Sequence, residues 1–76
     1  MLQEHDRAIL TVDLPDHQLQ VGDIGTVVHI YNGGNAYEVE FLTVDGQTLD
    51  VITVEATQLR EVRGSEILHA RPLVIQ

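Results

Sequence analysis

The chain has no cysteine, no tryptophan and no lysine, and its only aromatic residues are Tyr31, Tyr37 and Phe41. Without cysteine, neither a disulfide framework nor a thiolate metal site can hold it together, so the apolar core must suffice. Without lysine, its cationic side chains reduce to Arg7, Arg60, Arg63 and Arg71, against twelve Asp and Glu, for a formal net charge of −8. A protein that binds a phosphate backbone does so by neutralising roughly 6–10 phosphates. Four arginines among three times as many acids cannot do that, and the strand pattern below sends two of the three aromatics inward, which leaves no stacking platform. Nucleic acid and anionic membrane are therefore excluded as expected partners, and a basic protein is favoured. No stretch approaches the ~18 apolar residues of a membrane span. "MLQEHDRAIL" does not pair a basic segment with a long apolar run, so the expected location is the cytoplasm.

What is present is globular. Hydrophobic residues make up 43% of the chain, too many for a disordered composition. At 76 residues it is one domain, and it buries only ~60% of the surface its unfolded form exposes. That leaves little room for an enclosed active site.

The pattern along the chain is strand and turn. "RAILTV" (Arg7 to Val12) reads as a first strand, and Pro15 pushes Leu14 towards an extended conformation. "DLPDHQLQVG" (Asp13 to Gly22) has turn residues and no period, so it reads as a long surface loop. "GTVVHIY" alternates as a second strand, and "NGGN" (Asn32 to Asn35) supplies residues that accept positive φ in a tight hairpin. Setting Tyr31 opposite Ala36 then places Ile30 on Tyr37, Val28 on Val39 and Thr26 on Phe41 inside the fold. The same register puts His29 on Glu38 and Val27 on Glu40 outside.

"TVDGQ" fits a three-residue loop of Val44, Asp45 and Gly46, with the glycine in the left-handed position of a bulge. That register opposes Phe41 to Leu49, Val39 to Val51, Tyr37 to Thr53 and Glu40 to Asp50. "VEATQLREV" reads as a short helical turn, Glu55 to Gln58, followed by a closing strand around Leu59 to Val62. Five short strands in so few residues bury their apolar faces by curling into a small barrel. The fold class expected is all-β, with a barrel over residues 1–62 and a C-terminal tail over 63–76.

Strand, loop, "VGDIGTVV", strand, strand, turn and closing strand resemble an SH3-like barrel with the glycine turn of KOW-type domains. More closely, "VDLPDHQLQVGDIGTVVHIY", "AYEVEF" and "ITVEATQLREV" resemble the short bacterial family called domain of unknown function 4926, across Asp6 to Val62. The resemblance implies a companion to a toxin-like protein encoded nearby, such as a nuclease, and hence an antitoxin or immunity role. It implies no catalytic residue. The tail "RGSEILHARPLVIQ" departs from the usual short form.

Read from the residues alone, Gly22 and Gly25 serve backbone conformations closed to residues with a Cβ. They are no phosphate cradle, for a strand and not a helix follows them. His5, His17, His29 and His69 have no metal-ligand spacing on a defined element, and Asp13 and Asp16 read as turn-bonding side chains. Neither enzyme nor cofactor is expected. The candidate partner-binding residues are Glu38, Glu40 and Asp50 with Tyr31 and Ile52 on the outer sheet face, and Leu73, Val74 and Ile75 in the tail. The alternative function is a homo-oligomeric structural or adaptor module joined through that tail, whose "PLVI" suits strand addition.

Overall fold

A computed structural model describes residues 1–73. Val74 and Ile75, two of the tail residues expected to meet a partner, lie outside the described residues.

The fold is all-β. Five antiparallel strands, β1 (Arg7–Leu10), β2 (Ile24–Tyr31), β3 (Ala36–Leu42), β4 (Thr48–Glu55) and β5 (Leu59–Glu61), form one sheet in the order β4-β3-β2-β1-β5. A 3-10 turn at Ala56–Gln58 precedes the last strand, as the sequence predicts. It is closed by a capping box in which the Glu55 N–H donates to Gln58 Oε1 at 3.1 Å. Among the described residues no helical layer covers the sheet, so it buries a face by curling on itself. The resulting core takes Ala8 and Leu10 from β1, Val27 from β2, Tyr37, Val39 and Phe41 from β3, Ile52 and Val54 from β4, and Leu59 from β5. Leu2 and Leu19 close its ends.

The hairpin turns are where the sequence places them. Tyr31 faces Ala36, Ile30 faces Tyr37 and His29 faces Glu38, while Thr43 N–H donates to Gln47 O at 2.9 Å and Gly46 sits at φ 87°. Further from each turn the expected register fails, because each hairpin carries a bulge of one residue. Val28 has no partner, and beyond it Val27 faces Val39 and Gly25 faces Phe41. Leu49 has none either, so Leu42 faces Thr48 but Phe41 faces Asp50, Val39 faces Ile52 and Tyr37 faces Val54.

Since side chains alternate with period two, a slip of one residue exchanges the two faces. Val27 is fully buried and Val28 exposed, the reverse of expectation. Ile52 and Val54 are buried, whereas Leu49 and Val51 are exposed. Even positions of β4 continue into the half-buried Ala56, and Ile52, Val54 and Ala56 are all apolar, whereas of Val51, Thr53 and Glu55 only Val51 is. That run was the sequence signal for the correct face.

The long loop is ordered. Leu10 N–H donates to Asp23 O and Gly22 N–H to Leu10 O, both at 2.9 Å, at its base. Leu14 bridges Leu19 across a 3-10 turn at Pro15–His17, and Asp13 Oδ1 accepts from Val21 N–H at 2.9 Å. Leu19 is thereby held in the core at 4% exposure.

Gly22 has the positive φ expected of it, 94°, but Gly25 does not. Its requirement is space: a Cβ there would collide with Val39 Cγ1 and lie 3.0 Å from both Glu40 O and Phe41 Cε1. Gly25→Ala should therefore cost about 1–3 kcal/mol by overpacking. Gly64→Ala, at an open position with nothing within 4 Å, should stay within about 0.5 kcal/mol of the parent. Urea unfolding of the two variants checks the contrast: equal midpoints would remove the close-approach argument.

Candidate functional site

The outer face of β2, β3 and β4 holds part of the expected acidic surface. Directly opposed residues of antiparallel strands share a face, so Glu38 lies between His29 and Thr53, and Glu40 between Thr26 and Val51. Thr48 Oγ1 donates to Glu40 Oε2 at 2.6 Å. Tyr31 is on this face too, its ring 4.5 Å from that of His29 in an edge-on arrangement.

Two expected members are elsewhere. Ile52 is in the core at 8% exposure, and Asp50 is opposite Phe41 on the inner parity of β4, at the end of the sheet. There it takes a bond from the loop, with His17 Nδ1 2.8 Å from Asp50 Oδ2. The repulsive Glu40–Asp50 pair that the sequence suggested does not form. Exposed Val51, opposite Glu40, supplies the apolar residue expected of Ile52. Among the described residues no three His, Asp or Glu side chains come together as a metal would require.

A second feature has no signal in the sequence. A cleft of about 550 Å³ opens between the end of the long loop and the β3–β4 turn, lined on the sheet side by Leu19, Ile24, Phe41, Leu42, Val44 and Leu49. The tail closes its other side with His69, Ala70, Arg71 and Leu73. No strand forms over the described tail residues 63–73, and most of the "PLVI" segment expected to add a strand lies outside the described residues.

Two arginine–carboxylate forks hold the tail instead. Arg60 of β5 donates through Nη1 and Nη2 to Glu66 Oε1 and Oε2 at 2.8 and 2.6 Å. Arg71 donates through Nε and Nη2 to Asp23 Oδ1 and Oδ2 at 2.8 and 2.6 Å. Such paired bonds are shorter and stronger than neutral ones and demand the planar guanidinium.

The forks set two acidities. Burial pushes the Asp23 carboxyl up, but the bonds from Arg71 and from Gln20 N–H outweigh it and hold the group below its ordinary value. The Arg60 guanidinium, helped by Arg63 N–H, brings Glu66 down to about 2. A carboxylate depressed on folding stabilises the fold above its unfolded value and loses that contribution as pH falls through its folded one. Arg60–Glu66 should thus be at full strength above pH 4.5 and vanish towards about 2. In urea unfolding, Glu66→Gln should lie below the parent at pH 6 and converge with it near pH 2, and a pH-independent gap would assign the loss to something other than charge.

The family described as domain of unknown function (DUF4926) matches residues 4–61. The match takes in all five strands and Asp23, and stops before Glu66 and Arg71. No curated protein and no solved structure matches the chain.

Proposed function

We propose that this chain, which belongs to the DUF4926 family, is a non-catalytic cytoplasmic protein that captures a basic protein partner, as an antitoxin or immunity protein captures a toxin-like one. The observation that carries this reading is how folding distributes charge. Two of the four arginines are engaged by Glu66 and Asp23, so they add little to the outward field. Glu4, Asp13, Asp16, Asp45, Glu55 and Glu61 are exposed, and Glu38 and Glu40 stand half-exposed on the outer sheet face.

A field of one sign speeds the encounter with a basic surface, and a small apolar centre then adds lifetime to the contact. Val51, 44% exposed and opposite Glu40, together with Tyr31, supplies such a centre. An SH3-like barrel suits the role because its strands hold the face rigid while its loops remain free to vary.

The natural probe is the product of the adjacent gene. It should form a stoichiometric complex whose affinity falls at least tenfold between about 50 and about 500 mM salt, chiefly through slower association. A Glu38→Gln, Glu40→Gln variant should associate several-fold more slowly with little change in dissociation. Absence of a complex at low ionic strength would overturn the proposal.

A further inference from the structure

The Arg71 fork is part of a larger arrangement. Besides the two Asp23 oxygens, the Gln18 carbonyl accepts from Arg71 Nη2 at 3.1 Å. The Gln20 side-chain amide, turned so that its oxygen faces the guanidinium, accepts from Nε at 2.9 Å and Nη1 at 3.1 Å. Four acceptors on three loop residues thus surround one planar cation, and the Asp23 side chain is only 15% exposed.

The loop sets these acceptors without help from the tail. Gln18 occupies the left-handed region, φ 58°, with its N–H donating to Pro15 O at 3.1 Å. Asp23 Oδ2 also accepts from Gln20 N–H at 2.9 Å. Leu19, between them, is anchored in the core. Beside the arginine lies the apolar cleft, and Leu73, two residues after Arg71, lines it.

We propose that this loop is a guanidinium-binding site filled in the resting chain by its own Arg71, and that an arginine of a basic partner takes the same place. The site's ligand class is an arginine followed two residues later by a large apolar side chain, the pattern of Arg71 and Leu73. Lysine fits it poorly, because a single ammonium cannot serve acceptors spread along both edges of a planar fork. The tail is pinned five residues earlier by Glu66 on Arg60, so Arg71 acts as a tethered competitor at an effective concentration on the order of millimolar. Isolated basic peptides are therefore held off, while a partner that also engages the acidic sheet face displaces the tail. The inference rests on the proposed basic partner for the source of the incoming arginine.

The experiment uses the full chain and a synthetic probe, acetyl-HARPL-amide, the chain's own residues 69–73. Titrated into Arg71→Ala and followed through the amide resonances of Gln18, Gln20 and Asp23, the peptide should bind at least tenfold more tightly than to the parent. Its arginine-to-lysine version should bind several-fold more weakly than the arginine peptide, and adding Asp23→Asn should abolish binding. Equal affinity for parent and Arg71→Ala, or equal affinity of the two peptides, overturns the proposal. If Arg71→Ala does not fold, the parent decides: millimolar arginine peptide should move the Arg71 Nε–H resonance towards its free position, and a resonance that stays fixed overturns it. Only synthetic peptides are involved, so this result stands apart from whether the neighbouring gene product binds.

Discussion

Two unpaired residues, Val28 in β2 and Leu49 in β4, decide which side chains this small protein buries. A chain of this length has few apolar residues to spare, and in a sheet with period-two alternation each bulge exchanges one whole set for the other. With both bulges in place, Val27, Val39, Ile52 and Val54 meet in one core. The sheet then closes on Gly25, whose missing side chain lets β2 approach β3. The outer face, the position of Asp50 and the shape of the cleft all follow from those two slips.

The elements were legible in the sequence, and the faces beyond the bulges were not. Asn32 to Asn35 and Asp45–Gly46 announce their turns through local chemistry, and the pairs next to each turn form as read. A bulge has no such marker here. At Val27–Val28 either valine could fill the core, so composition cannot say which does. In β4 the information was present, because Ile52, Val54 and Ala56 form a better apolar run than Leu49, Val51 and Thr53. The turn at Asp45–Gly46 implies a different and self-consistent register, which only the bulge at Leu49 breaks. The candidate surface fared likewise: Glu38, Glu40 and Tyr31 share the outer face as expected, whereas Ile52 and Asp50 were carried off it by the Leu49 slip.

The tail was opaque for a different reason. Irregular chain leaves no period, and what holds residues 63–73 is pairing between charges, one pair near in sequence and the other 48 residues apart. Sequence could say only that four arginines among twelve acids would find carboxylates. Which carboxylates depends on the long loop, whose Leu14–Leu19 bridge and buried Leu19 present Asp23 and the Gln18 carbonyl to the tail. A loop that reads as punctuation thus becomes the polar anchor of the tail, and Arg60 and Arg71, paired with Glu66 and Asp23, leave the carboxylates of the sheet face to set the field that a partner meets.

The sheet order has a consequence in time. β1 lies between β2 and β5, and Ala8 pairs with Glu61 across nearly the whole length of the sheet-forming chain. The β2–β3–β4 meander is local and can pair early, but the hydrophobic interior stays open along one side until Leu59 arrives. Such non-local closure slows folding relative to helical domains of equal size. During synthesis, Ala8, Ile9 and Leu10 must wait for the last strand to emerge before both their edges are satisfied. The nascent chain therefore spends an association-prone interval with β1 half paired, and its abundant negative charge keeps neighbouring copies apart during that interval.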